Sequence, residues 1–496
     1  MTDTRGFIER HGLWTDEQRR QADEIKRRIE LDKLQLIRVC WADPHGAVRA
    51  KALTAPAFVA ALETGYNINV ATTTLDSANA RTFASFTRGG GMGLAEMTGS
   101  PNLTIVPDPA TFRVLPWGER IGWVLCDEYF ASGVPFHFSP RQLLRRQLKR
   151  LAAMKMNLLV GLEIEWYLLR VAAEQLSLEN TGAPGVRPRP IATLPVEPGF
   201  SYHSETHLDL MQPVISALAT GYEQMGLPLR SMENEWGPGQ LECTFAAQGA
   251  LEAADNAVLF RSATRQMCRR MGYLASFMCR PPLGSFCSSG WHLHQSLVDV
   301  ASGRNVFIPE SEGEWLSPLG RSFLGGLLQH GVPAAAFATP TVNGYRRYRP
   351  NSLAPDRVTW CHDHRGVMLR VLGGAGDPAT RIENRIGEPA ANPYLYMVSQ
   401  IVAGLDGLEH RLDPGPPDEE PYEAKRPMLP TSLPEALDAL DRSPLFRTQL
   451  GDVFIDYFLA VKRNEASRFA AWCTENGVRE DGTPTQWEQN EYFDFF

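Results

Sequence analysis

Two glutamates stand one residue apart in the apolar run GLEIEWYLL, Glu163 and Glu165 within residues 161–169. In an extended strand alternate side chains share a face, so both carboxylates point one way while Leu162, Ile164 and Trp166 point the other. Two carboxylates on one face repel and are costly to desolvate, and a bound cation is the common remedy. A solvated strand face is the competing reading of this pair alone. The alternation recurs in SSGWHLHQSL (288–297) with His292 and His294, and in TRIENRIGEP with Arg381, Glu383 and Arg385. ENEWGPGQLECTF adds Glu233, Glu235 and Glu242 around a Gly-Pro-Gly turn. An isolated HxH is more often structural than a ligand pair. Several polar-alternating strands in one chain instead point to a sheet or barrel with one functional face, lined by oxygen and imidazole donors. Such a set suits Mg²⁺ or Mn²⁺ better than structural zinc.

Arginine supplies the opposite charge. NGYRRYRPNSLAP carries Arg346, Arg347 and Arg349, and CHDHRGVMLRVLGG carries Arg365 and Arg370. Guanidinium groups beside divalent ions neutralise the oxygens of a phosphoryl group in transfer. For any single arginine a surface salt bridge is the competing reading. There is no Walker P-loop, no kinase HRD and DFG set, and no GxSxG.

The elements that must position these residues can be read in outline. Charge dominates residues 1 to 30, including DEQRRQADEIKRRIE, which predicts a solvent-facing helical extension. LIRVCWADPHGAVRAKAL reads as strand, turn and strand around Asp43-Pro44-His45-Gly46, and 102–117 and 121–130 read as further strands. TRGGGMG (87–93) has no strand leading into it and no GK[ST] after it, so a flexible loop is expected rather than a phosphate cradle. Ser139 and Pro140 predict a helix N-cap and first turn, and a boundary between a small N-terminal unit and a large catalytic unit falls just before them. The Pro/Gly-rich stretches 181–200 and 413–430 read as loops.

The 496 residues can bury a large core, and the net charge of -8 with mixed signs argues against a nucleic-acid footprint. Eight scattered cysteines without a CxxC pair are expected to be reduced thiols. No apolar run approaches the roughly 20 residues of a membrane helix, and MTDTRGFIERHG lacks a signal-peptide core, so a cytoplasmic protein without membrane attachment is expected.

Seven segments resemble the glutamine synthetase family, in the family's order and from about residue 30 onward. They are VPDPATFRVLPW, GLEIEWYLL, NEWGPGQLECTF, SGWHLHQSL, NGYRRYRPNSLAP, RIENRIGEPAANPYLYMVSQIVAGLDGL and DYFLAVKRNE. The resemblance implies an α+β fold. After the extension would come a β-grasp domain (31–132), then a catalytic domain (133–496) whose antiparallel β-sheet funnel, surrounded by helices, opens to ATP at one end and L-glutamate at the other. It also implies a homo-oligomer of stacked rings, a dodecamer, in which a neighbour's β-grasp domain completes each site.

By the same resemblance Glu165, Glu235 and Glu242 would hold a metal that orients glutamate, and Glu163, His292 and Glu383 a metal on the ATP phosphates, two or more Mg²⁺ (or Mn²⁺) per site. Arg347 would grip the substrate carboxylate, and Glu235 borders the same substrate. Arg365, Arg370 and Arg385 would stabilise the phosphoryl group, while His294, Ser296 and Arg381, with Arg370, line the nucleotide. The implied chemistry is phosphorylation of the glutamate γ-carboxylate by ATP, then displacement of phosphate by an amine.

Departures from the family point to the amine. Ammonia-using members carry a flap segment like PGYEAP, whose glutamate shields the intermediate and helps take a proton from ammonium. Here the segment is PNSLAP, with Leu353 in that place. A second ammonium carboxylate comes from a neighbour's segment like DGSS, for which TLDSAN offers Asp76. The loop before HxH is bulkier, with Phe286, Cys287, Ser288 and Trp291, and Ser288 is its substrate-facing candidate. An aniline-like amine is mostly neutral near pH 7 and needs no cation hole, so the γ-glutamylanilide-forming branch is favoured. Where relatives adenylylate a tyrosine in a segment like NLYDLP, KRPMLP places Pro427, so that control is not expected.

Glutamine synthesis from ammonia, or ligation to an aliphatic monoamine or polyamine, are the alternatives within the family. A metal-dependent hydrolase using His292, His294, His362 and His364 is the alternative outside it, and it predicts zinc dependence without ATP. A catalytically dead relative would have lost ligands, yet all six matched metal ligands are present.

Overall fold

Residues 36–54 fold as the expected hairpin, β1 (Leu36–Ala42) and β2 (Val48–Thr54), in a computed structural model that describes residues 5–496. Asp43 makes the turn: its Oδ1 accepts from the backbone of His45 and Ala47, both at 2.9 Å. Gly46 takes φ +73° there, and a Cβ would meet Arg261 at 2.8 Å. The sheet continues with β3 (Tyr66–Asn69), β4 (Asn102–Pro107), β5 (Arg113–Val114) and β6 (Ile121–Tyr129), in the order β2-β1-β6-β4-β3 with β5 beside β6. Only β1 and β6 run parallel. The helix Ala55–Thr64 buries Phe58, Ala61 and Leu62.

The helix Asp16–Leu31 is not wholly solvent-facing, because Ala22, Ile25 and Ile29 form a buried stripe. Gln18 donates to Asp108 at 3.0 Å, and the Trp14 indole just before the helix donates to the Pro107 carbonyl at 3.0 Å. Residues 1–4 of the expected extension lie outside the described residues. The stretch 102–117 is not one strand, since Pro107 and Pro109 break the ladder and Asp108 caps a 3₁₀ turn over Pro109–Thr111.

The second sheet is built around β7 (Met156–Val171). Its other strands are β8 (Thr193–Pro195), β9 (Leu229–Asn234), β10 (Gln240–Phe245), β11 (Gln248–Gly249), β12 (Tyr273–Ser276), β13 (Trp291–Asp299), β14 (Trp360–His362), β15 (Leu369–Leu372) and β16 (Arg381–Gly387). The path runs β14-β15-β16-β13-β7-β10-β9, with β8, β11 and β12 also on β7. The pairing is antiparallel as expected, except that β14 and β15 are parallel. β8 falls inside 181–200, so that stretch is not loop throughout. The 413–430 stretch is irregular but pinned: Val358 donates to the Pro427 carbonyl at 2.9 Å, and Tyr422 donates to that of Ala354 at 3.0 Å.

Ser139 takes the N-cap position, without a capping hydrogen bond from its side chain, and Pro140 opens the helix Pro140–Ala153, which leads into β7. Helices Ala250–Arg270 and Pro393–His410 pack beside it and are buried along most of their length. Arg141 ties its helix to the N-terminal sheet and to the helix Ala250–Arg270, pairing with Asp108, Asp127 and Asp255 at 2.6–2.8 Å while itself buried. All eight cysteines are free thiols. Among the described residues no helix is long and apolar enough to cross a membrane.

Candidate active site

Strand register explains how distant motifs reach one place. Glu242 on β10 lies opposite Glu165 on β7, and Glu163 lies opposite His292 on β13. His294 lies opposite Glu383 on β16, which lies opposite Arg370 on β15. Register across five neighbouring strands, with period-2 alternation, therefore gathers the polar residues on one face, as the paired glutamates implied.

At the centre Glu163 accepts two imidazole N–H groups. His292 Nδ1 lies 2.5 Å from Glu163 Oε1, and His294 Nε2 lies 3.1 Å from Oε2. Each ring is held from behind by an arginine: Arg347 donates to His292 Nε2 at 3.2 Å, and Arg381 to His294 Nδ1 at 3.0 Å. Guanidinium can only donate, so each of those nitrogens is the lone-pair nitrogen and its partner carries the proton. A continuous chain results, Arg347–His292–Glu163–His294–Arg381. Beside it, Glu383 is fully buried between Arg370, at 3.1 Å, and Arg385.

The carboxylates fall into two electrostatic classes. Burial, opposed by Arg385, leaves Glu383 at about 2, and His292 holds Glu163 far below the usual carboxylate range despite its burial. Burial and Arg385 push the His292 imidazole down to about 4, so it is neutral at pH 7. Burial raises Glu165 to about 7 against the pull of Arg347. Burial and the neighbouring glutamates raise Glu235 to about 8 and Glu242 to about 10. Three carboxyl groups that cannot all ionise together fit a divalent cation, which would remove their repulsion.

Two sets of donor atoms each lie within 4.8 Å of one another: Glu163, His294 and Glu383, and Glu163, Glu242 and His292. This grouping differs from the expected sets, because Glu163 is shared and His294 joins in. Glu165 and Glu235 stand outside both groups, and Glu165 accepts from Gln240 at 3.0 Å.

Two cavities meet at this cluster. One of about 920 Å³ is lined by Glu165, Glu235, Glu242, Ser288, Arg347, Leu353, Arg365, Arg370 and Arg385. The other, of about 650 Å³, is lined by His294, Ser296 and Arg381. Glu163, Glu233 and Thr244 border both. Three of the residues expected at the nucleotide, His294, Ser296 and Arg381, line the smaller cavity, whereas Arg370, also expected there, lines the larger.

Asp76 is the exception. It is fully buried, with Oδ2 accepting from Arg468 (2.7 Å) and Asn464 (2.8 Å) and Oδ1 from the backbone of Ala78 and Ala80. Its carboxylate is held by partners inside its own chain, and it lines neither cavity. Arg346 pairs with Glu488 at 3.0 Å and Arg349 bonds the Gly482 carbonyl, so both are structural. His362 stacks on Trp315, His364 accepts from Gly366, and neither joins the donor groups a hydrolase would need.

Sequence reasoning missed Tyr202, His203, Trp236, Gln240 and Arg280 in the larger cavity and Arg230 in the smaller. Tyr202 and His203 sit in an aperiodic loop that carries no signal, but Trp236 adjoins Glu235 and was open to notice.

Residues 137–480 match the model of the glutamine synthetase catalytic domain. The chain is 48% identical to the γ-glutamylanilide synthase of Acinetobacter sp, over 99% of each protein. It is 31% identical to the glutamate–isopropylamine ligase of Pseudomonas sp, over 74% of this chain and 78% of that one. The solved structure of apo GmaS without ligand superposes with a TM-score of 0.72 at 26% identity, covering 93% of this chain and 97% of that chain.

Proposed function

The chain belongs to the glutamine synthetase family, and from that premise we propose that its acceptor is an aromatic amine, aniline or a close analogue. It is an ATP-dependent C–N ligase that makes γ-glutamyl amides. A γ-carboxylate oxygen of glutamate attacks the γ-phosphorus of ATP and ADP leaves. The amine nitrogen then attacks the acyl carbon, phosphate departs, and the nitrogen loses a proton.

In this reading Arg347 and the Ser288 loop hold glutamate, and Arg365, Arg370 and Arg385 offset charge on the phosphoryl oxygens. His294, Ser296 and Arg381 receive the nucleotide. Glu163, His292 and Glu383, and Glu165, Glu235 and Glu242, would hold Mg²⁺ or Mn²⁺, two or more per site. When bound, such ions polarise phosphate and carboxylate oxygens. The repulsion among Glu165, Glu235 and Glu242 supports their assignment.

The observation that carries the acceptor is Leu353. It lines the larger cavity with 55% of its surface exposed, and its carbonyl accepts from Arg385 at 3.3 Å. That tie holds an apolar side chain beside the arginine proposed to meet the phosphoryl group, where it cannot serve as a base for ammonium. A neutral arylamine needs neither a cation hole nor that base. The 48% relative named for γ-glutamylanilide agrees. The test is glutamate-dependent phosphate release from MgATP with ammonium, methylamine, ethanolamine, putrescine, isopropylamine and aniline, with mass detection of the product. Preference for aniline is expected; preference for ammonium overturns the reading.

The same reading gives the N-terminal sheet, with its hairpin, crossing helix Ala55–Thr64 and parallel β1–β6 pair, as a β-grasp domain of residues 31–132. It gives residues 133–496 as the catalytic domain and a dodecamer of stacked rings, which sedimentation would test.

A further inference from the structure

The larger cavity carries an aromatic surface that none of the roles above uses. Tyr202 and Trp236 stack with ring centroids 5.4 Å apart and planes 10° from parallel, and the His203 ring centroid lies 3.7 Å from that of Tyr202. All three line the cavity that holds Glu235 and Leu353. Tyr202 is 44% exposed and Trp236 47%, so part of this aromatic surface stays open to the cavity.

The platform is preformed. Phe200 donates to the Trp236 carbonyl at 2.9 Å, and the Asn234 amide donates to that of Ser201 at 2.7 Å, tying the two loops edge to edge. Beneath them the buried Glu197 accepts from the backbone of Gly199 at 2.6 Å and from that of Gly239. Gly199 has φ +70°, and a Cβ there would strike Pro238 at 2.8 Å. His203 is fixed in turn by Glu233, 3.2 Å from its Nε2. Rings held this way lose little freedom when a ligand stacks on them.

We infer that the Tyr202–Trp236 stack is the subsite for the aryl ring of the acceptor, with Leu353 as its aliphatic counterpart in the same cavity. This rests on the arylamine reading of Leu353 and names the residues that would discriminate an arene from a small alkylamine. Aromatic faces attract rings beyond simple area burial, whereas a two-carbon chain gains little from them. The electron-rich faces of tyrosine and tryptophan suit a neutral arylamine whose nitrogen projects towards the carboxylates.

The experiment compares the full-length enzyme with Trp236→Ala, Tyr202→Ala and Trp236→Phe, taking kcat/KM for aniline and for ethylamine at saturating glutamate and MgATP. The aniline-to-ethylamine ratio should fall about tenfold in both alanine variants, a factor equivalent to about 1.4 kcal/mol, and Trp236→Phe should restore most of it. An unchanged ratio in variants that still turn over aniline overturns the platform and leaves the arylamine reading standing. A wild-type enzyme that uses other amines but not aniline overturns both. Sedimentation of each variant completes the test: loss of the wild-type assembly would identify the stack as a subunit contact and overturn the proposal.

Discussion

His292 gives its Nδ1 proton to Glu163 at 2.5 Å while Arg347 occupies its Nε2 at 3.2 Å. The ring therefore joins a residue of the larger cavity to one shared by both. His294 makes the mirror-image link, from Glu163 to Arg381 in the smaller cavity. Removing either ring breaks a hydrogen-bonded line between the two ends of the site.

His294→Ala should lose a donor to Glu163 and leave Arg381 without its acceptor. The Mg²⁺ concentration for half-maximal phosphate release should rise about 10- to 100-fold, the usual cost of losing a group that orients a ligand. A metal titration of activity, with circular dichroism as the folding control, checks this.

Metal affinity should rise with pH between about 6 and 9. Glu165, Glu235 and Glu242 sit at about 7, 8 and 10, so near pH 7 a cation must displace protons from them. Calorimetric Mg²⁺ titrations in buffers of different ionisation enthalpy should report proton release. The sign for stability follows from the same raised values. Between the ordinary carboxyl range near 4.5 and these values the folded state holds protons that the unfolded state has lost. Chelated protein should therefore lose stability as pH rises through that window, and Mg²⁺ should blunt the loss. Thermal scans with and without chelator measure it.

Leu353→Glu places a carboxylate in the cavity beside Arg385. The ratio of kcat/KM for ammonium over aniline should increase by about tenfold or more, as one charged partner for ammonium replaces apolar surface. Competition assays with mass detection of glutamine and γ-glutamylanilide test it, and an unchanged ratio would remove Leu353 as the discriminating residue.

Arg141→Met should destabilise the fold without touching the site. Three buried aspartates would lose their shared partner, at a cost of about 3–5 kcal/mol. Chemical denaturation, or loss of soluble protein on expression, checks this.

Much of the site was legible because strand alternation is a local signal. Glu163 and Glu165, His292 and His294, and Glu383 and Arg385 each announce a common face two residues apart. Which donor atoms lie close together was not legible, since that depends on the register between β7, β13 and β16 and on arginines arriving from other segments. The burial of Asp76 was not legible because its partners, Arg468 and Asn464, lie almost 400 residues away in the chain. The N-terminal helix hid its buried stripe beneath its charges, and the Tyr202 loop has no period to read.

The division of labour between strands and loops bears on how such an enzyme changes its diet. The ionic floor of the cavity is spread over five paired strands, where one substitution disturbs several neighbours at once. Leu353, Tyr202 and Trp236 sit outside the strands, on connections whose backbones are tied down while their side chains stand free. Selection can therefore rewrite the rim one residue at a time and leave the phosphoryl chemistry intact. A host meeting an unfamiliar amine would have a short mutational path from one acceptor to the next.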